Sequence, residues 1–415
     1  MKHLLKQIWN ERRSNGWLWV ELLIVFVVLW YIVDWGYATA IAYYEPRGFD
    51  ITNTYKVSLA TKTSKAVDYI APNESELTSG QALLEIAERL RRLPEVEAVS
   101  ISQNSYPYCS SMGGIGLRLD SLNVWPLRRV VTPDFFHVFG YESVDGNGWK
   151  PLVDALRRGD VVVSENIMHK KAIDRRPLNR TFYNTDDSTR TYHVGAVSTK
   201  VRYSDFLSAF EDKYIAWELK EETIAEASDA LWRELCLRVM PGTSAGFEDR
   251  LMNISDTQFA VGNLFIYRVE SFANIRDYYQ LKSYNTIKTR IWMMAFLLVN
   301  IFLGIIGTFW FRTQHRRSEI GLRMALGSSR AGLRLQLINE GLILLLLASI
   351  PAMIIAVNLG YADLIEGGNL PWTLSRFFIC SAITLVLMAG MIVAGIWYPA
   401  RQAMKVQPAE ALHEE

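Results

Sequence analysis

Cysteine is scarce in this chain, and three thiols in 415 residues cannot supply a disulfide framework. Histidine is sparse too: His3, His137, His169, His193, His315 and His413 are scattered, and no pair has metal-ligand spacing. No strong excess of either charge is present. The formal net charge is +1, which argues against a nucleic-acid protein. Ser164 lacks the flanking glycines of a nucleophile elbow. No G-x-x-x-x-G-K-S/T phosphate loop occurs in these residues. Between Asp34 and Ile291 no long apolar run appears. These absences leave catalysis without a visible constellation and set a polar middle between apolar ends.

What is present is one apolar span near the N-terminus and three near the C-terminus. Ile291 to Phe311 carries no charge, and its length of about 31 Å matches a hydrocarbon core of about 30 Å. Gly341 to Ala362 holds Pro351 as a kink site, and Phe377 to Tyr398 forms another run. Trp17 to Ala42 is interrupted by Glu21 and Asp34, both near its ends, where carboxylates reach the interface. A competing reading takes Ala38-Thr39-Ala40 as a signal-peptidase site, although the apolar stretch is long for a signal peptide. Lys2, Lys6, Arg12 and Arg13 precede the first span, and Arg312, Arg316, Arg317, Arg323, Arg330 and Arg334 follow the second. The last loop has Asp363, Glu366 and one Arg, Arg376. Positive-inside logic places both termini in the cytoplasm and residues 43–290 outside. Asn300, Asn358, Ser381 and Thr384 are nearly the only strongly polar side chains deep in the last three spans, too few to line an aqueous route. Gly36 with Ala40, Gly304 with Thr308 and Gly390 with Ala394 suit close helix packing.

The polar middle reads as α/β. Val57 to Thr61 alternates like a strand, and Thr78 with Gln81 forms a capping box. Leu83, Ile86, Ala87, Leu90 and Leu93 share one helical face, Glu85 pairs with Arg89 on the other, and Pro94 ends the helix. Val96 to Ile101 follows as a strand. A second set comprises Leu235 to Val239, a helix around Ala245 to Met252, and Leu264 to Val269. One α/β layer assembled from both ends is expected, with a β-rich lobe inserted at about 105–215 whose best strands are Arg158 to Ser164 and Tyr192 to Ser198. Cys109 and Cys236 share this compartment, either bridged or as two free thiols.

Between Ser271 and Leu303 there is no Gly and no Pro. One helix of about 40 residues, near 60 Å, is expected to run from a stalk into the membrane; the alternative is two helices with a bend at its surface. Beyond it, Ser318 can N-cap a short helix with Glu319 in its first turn, and Gly327 fits the left-handed position that ends it. Ser328 or Ser329 can cap the next helix. Ile320, Met324 and Ala325 could form a small apolar docking face; the plainer reading is an amphipathic connector on lipid.

The segment Arg316 to Gly327 resembles the cytoplasmic motif of MacB/FtsX-type ABC transporter permeases. Four other stretches agree in the same order: Val131 to Phe136 (VTPDFF), Val161 to Glu165 (VVVSE), Tyr192 to Val197 (YHVGAV), and Tyr398 to Ala403 (YPARQA) continuing to Pro408 to Leu412 (PAEAL). Ala172 to Thr181 matches poorly. The resemblance implies an α+β membrane protein: four transmembrane helices with a large extracytoplasmic α/β domain, porter-like near the membrane and carrying an inserted β-rich lobe. The implied organisation is a tail 1–16, a span 17–42, an outer domain 43–270, and a stalk and span 271–311. A coupling segment 312–340, a span 341–362, a loop 363–376, a span 377–398 and a tail 399–415 follow. The implied ATPase-coupling residues are Ser318, Glu319, Ile320, Gly321, Arg323, Met324, Ala325 and Gly327.

The partners implied are a cytoplasmic ABC ATPase supplied in trans, a second permease chain (identical or not), membrane lipid, and room for a periplasmic adaptor. ATP and magnesium belong to the ATPase, and no cofactor is expected on this chain. The resulting expectation is a non-catalytic permease subunit in a bacterial cytoplasmic membrane that relays ATP-driven movement for export or extraction. A regulator of cell-wall hydrolases and a membrane-anchored sensor or adhesin are the alternatives.

Overall fold

A computed structural model describes residues 12–71, 76–109, 113–168, 177–207, 213–362 and 370–403. His3, His169, His413 and the motif at 408–412 lie outside them, as do residues 172–176 of the poorly matching stretch. The chain divides into a helical unit, within 1–43 and 283–415, and an α/β unit, 44–282.

Among its described residues the α/β unit contains eleven strands in one sheet order, β11-β1-β10-β2-β5-β9-β6-β8-β7-β3-β4. These are β1 (Thr54–Thr61), β2 (Val96–Gln103), β3 (Leu117–Leu119), β4 (Leu122–Val124), β5 (Leu127–Val131) and β6 (Val161–Ser164). The remainder are β7 (Thr181–Asn184), β8 (Thr191–Ser198), β9 (Tyr214–Glu218), β10 (Glu234–Val239) and β11 (Leu264–Ser271). Strands from the two ends of the unit alternate: β1 lies between antiparallel β10 and β11, and β10 pairs with β2. The strands between β2 and β10 in sequence continue the same order, with β5–β9 and β6–β8 parallel.

Local sequence explains the helix Ser79–Arg91. Gln81 N donates to Thr78 Oγ1 (3.0 Å) and Thr78 N donates to Gln81 Oε1 (2.9 Å), so both halves of the capping box form. Leu83, Ile86 and Leu90 are fully buried, each stabilising by about 1.5–3 kcal/mol. The far helix, Phe247–Gln258, starts and ends later than its sequence pattern suggests.

Among the described residues, four helices are long and apolar enough to cross a membrane: Gly16–Tyr44 within Arg12–Tyr44, Phe272–His315, Arg330–Tyr361 and Leu374–Trp397 within Leu374–Ala403. Phe272–His315 is one uninterrupted 44-residue helix, so the bent alternative does not hold; the boundary between the units falls inside it. Arg330–Tyr361 keeps Pro351 within it. In the helical unit Phe26, Leu29 and Trp30 pack in one apolar cluster with Leu344, Ala348, Ala352, Met388 and Ile392.

Two expectations about this unit change. Asp34 does not reach out to an interface: it is fully buried, and Arg376 donates to both of its oxygens (2.8 and 2.5 Å). Close helix approach occurs at Gly341, where a Cβ would lie 2.8 Å from Ile392, and at Gly395, opposite the Ile306 backbone. A Cβ added at Gly36, Gly304 or Gly390 would meet nothing within 4 Å among the described residues. Asn300, Asn358 and Thr384 donate to the carbonyls of Phe296, Ile354 and Cys380, four residues back on their own helices. All three cysteines are buried and none forms a disulfide, which removes the bridged reading of Cys109 and Cys236.

Candidate coupling site

The helix Arg317–Ala325 lies between two of the long helices. Its start falls earlier than its sequence suggests. Arg316 is the N-cap residue, without a side-chain capping bond, and Ser318 is already helical. The cause is an anchor: Arg316 Nη1 donates to Glu340 Oε2 at 2.5 Å and fixes the chain break there. Glu340 is 3% exposed and also faces Arg312 (3.8 Å) and Gln336 (3.4 Å). The end follows expectation. Gly327 adopts φ +94°, Gly327 N donates to Met324 O, and Ser328 N donates to Arg323 O, the paired bonds of a Schellman stop. Ser329, not Ser328, caps the next helix, its Oγ accepting from Gly332 N at 3.1 Å.

The faces are distributed differently from the sequence expectation. Ile320 is 4% exposed and belongs to the apolar cluster of the helical unit, with Met324 packed against that cluster. Gly321 is buried and Arg323 half-buried. Ile320, Gly321 and Met324 seat the short helix and do not form an outward docking face, whereas Arg323 keeps part of its side chain exposed. Ser318, Leu322, Ala325 and Leu326 point outward, with Leu322 50% and Leu326 79% exposed. Of the expected face only Ala325 remains outward. The i, i+4 spacing of Leu322 and Leu326 was visible in the sequence, but so was that of Ile320 and Met324. The helix carries two short apolar faces, and periodicity does not rank them. The side chain of Glu319 lies outside the described ones.

Polar groups elsewhere have structural partners. Ser164 is buried, and its Oγ accepts from Tyr214 N at 2.9 Å. His137 stacks on Trp149 and pairs with Glu97, while His193 pairs with Asp160. Burial, and then the Glu234 carboxylate, push the Cys236 thiol well above its ordinary value.

Residues 291–408, which contain this site, match the FtsX-like permease C-terminal family. The macrolide export ATP-binding/permease protein MacB of Sodalis glossinidius is 22% identical over 370 residues, covering 85% of this chain and 54% of that protein. MacB of Shewanella oneidensis is 25% identical over 346 residues, covering 79% and 48%. The chain thus spans about half the length of the curated relatives it matches. The periplasmic region of MacB from Actinobacillus actinomycetemcomitans overlays 54% of this chain and 91% of its own, at 12% identity and a TM-score of 0.31. The chain is a multi-pass membrane protein that carries an FtsX-like permease domain and is a distant homologue of the MacB permeases.

Proposed function

We propose that this chain is the membrane subunit of a bacterial ABC transporter and acts as a mechanical relay. An ATP-hydrolysing partner docks on the helix Arg317–Ala325, with Leu322 and Leu326 entering a groove on it and Glu319 and Arg323 meeting its rim. ATP and magnesium are bound by that partner, and this chain contributes no chemical step. Both termini lie in the cytoplasm, and the α/β unit lies outside the cytoplasmic membrane. The helix Phe272–His315 carries movement between them, for export or extraction of a substrate. Two copies of the chain, or this chain and a related one, complete the assembly.

One observation carries this reading. The segment that matches the permease family holds a short helix fastened from behind by Glu340 and Ile320, with two leucines left facing outward. Large exposed apolar side chains on a firmly seated element suit a protein contact. Relay is favoured over conduction because Asn300, Asn358 and Thr384 donate to carbonyls of their own helices and Ser381 is buried, which leaves little polar surface for an aqueous route.

The test is affinity purification of the full chain from its native membrane, with identification of what accompanies it. A P-loop ATPase should co-purify with wild type. It should be lost from a Leu322→Glu/Leu326→Glu variant and from the charge reversal Glu319→Arg/Arg323→Glu, at unchanged membrane levels. Retention of a normally stimulated ATPase by both variants would refute the docking site. Recovery of a cell-wall hydrolase alone would favour the regulator instead.

A further inference from the structure

The α/β unit starts at Tyr44 and ends at Lys282. Its first and last segments are both held by one short stretch, residues 200–206, which comes from the middle of the unit's sequence. On the first segment, Arg202 N donates to Arg47 O at 3.0 Å, and the Arg202 guanidinium donates to Glu45 O. Gly48 adopts φ +78° and lies so close to the Lys200 carbonyl that an added Cβ would sit 1.9 Å from its oxygen, so only glycine fits. The Phe49 ring lies 5.4 Å from that of Tyr203. On the last segment, Gln280 Nε2 donates to Tyr203 O at 2.9 Å.

Asp205 joins the two. It is 1% exposed, and its oxygens are divided between the segments. Oδ1 accepts from Arg47 Nε at 3.1 Å; Oδ2 accepts from Arg276 Nη2 at 2.5 Å and Nε at 3.2 Å. Burying a carboxylate is costly unless cations meet it, and charge-assisted bonds are short and directional. Both arginines keep part of their side chains in water, 33% and 20%, which eases the excess positive charge.

We propose that Asp205 is a positioning residue that clasps the first and last segments of the α/β unit through one shared carboxylate, so that the two move together. Its use in force transfer rests on the relay reading above; the clasp itself is testable without it.

The experiment is amide hydrogen exchange on the full chain in nanodiscs, comparing residues 45–50 and 272–282 with strands β1 and β10. Asp205→Asn should speed exchange in both segments together, by about tenfold or more given the usual worth of charged hydrogen bonds, and leave β1 and β10 unchanged. Asp205→Glu, which keeps the charge, should stay slow in both. Arg47→Gln should free the first segment alone and Arg276→Gln the last alone. Loosening of one segment or neither in Asp205→Asn overturns the clasp, as does equal loosening in Asp205→Glu. Should Asp205→Asn not fold, the arginine variants decide: unchanged exchange in their own segments refutes the proposal. Should the exchange pattern hold while no ATPase co-purifies, the clasp stands and the relay reading falls.

Discussion

In the helical unit one arginine donates to the buried Asp34; in the α/β unit Arg47 and Arg276 both donate to the buried Asp205, and Arg202 attracts it as well. Arg376 meets Asp34 fork to fork, and the pair is 0% and 2% exposed. Asp205 instead gives one oxygen to Arg47 and the other to Arg276. The first arrangement ties together two helices, Arg12–Tyr44 and Leu374–Ala403, and among the described residues its carboxylate has no second arginine in reserve. Losing either member strands a charge away from water, where it costs several kcal/mol. The second has a reserve, because each arginine keeps contact with solvent and the carboxylate retains a partner if one is lost.

The largest effect should come from the pair without reserve. Arg376→Leu should lower the unfolding free energy by about 3–5 kcal/mol, the usual cost of stranding a buried charge, read as a fall in apparent Tm of the detergent-purified chain. Asp34→Asn combined with Arg376→Leu should recover most of that loss, since no charge is left unpaired. Equal Tm values for the single and double variants would mean that stranded charge is not the cause. Arg47→Gln alone should cost clearly less than Arg376→Leu in the same assay.

A middle-sized effect is expected where Glu340 fastens the short helix. It is buried like Asp34 but shared like Asp205, between Arg316 and the more distant Arg312. Glu340→Gln should loosen the helix Arg317–Ala325 by about 1.5–3 kcal/mol without unfolding the unit. A cysteine placed by Ile320→Cys should then become reactive to maleimide, whereas in the Glu340 background it stays shielded, as Ile320 is now. Equal labelling in both backgrounds would show that the apolar seat holds the helix unaided.

Much of the fold was legible because its signals are local. The capping box at Thr78, the core face from Leu83 to Leu90, the uninterrupted helix after Ser271 and the stop at Gly327 each follow from neighbouring residues. What could not be read depends on long-range pairing. Asp34 and Arg376 are 342 positions apart, and Asp205 finds Arg47 across 158. No periodicity links such positions, and a carboxylate near the end of an apolar run looks the same whether it faces water or an arginine. At the coupling site the stop at Gly327 was legible, but the start was not, since it falls at Arg316 and not at the expected cap Ser318, and neither was the orientation. Whether Ile320 or Leu322 faces inward is decided by the neighbouring helices, not by the helix itself. The small-residue pairs are limited in the same way: spacing gives a smooth face without saying what meets it.

The smallest effect is expected at an ion pair that water reaches. Glu85 and Arg89 sit one helical turn apart in the α/β unit, joined at 2.9 Å, with side chains 46% and 39% exposed. The Coulomb energy there is screened, and such pairs contribute about 0.3–0.5 kcal/mol. Glu85 is the member to remove, because Arg89 also donates to Gln258 O and its loss would mix two effects. Glu85→Ala should therefore leave the apparent Tm nearly unchanged, the more so because alanine favours the helix. A fall approaching that of Arg376→Leu would show that charge pairing matters regardless of burial, and the contrast drawn between Asp34 and Asp205 would lose its physical basis.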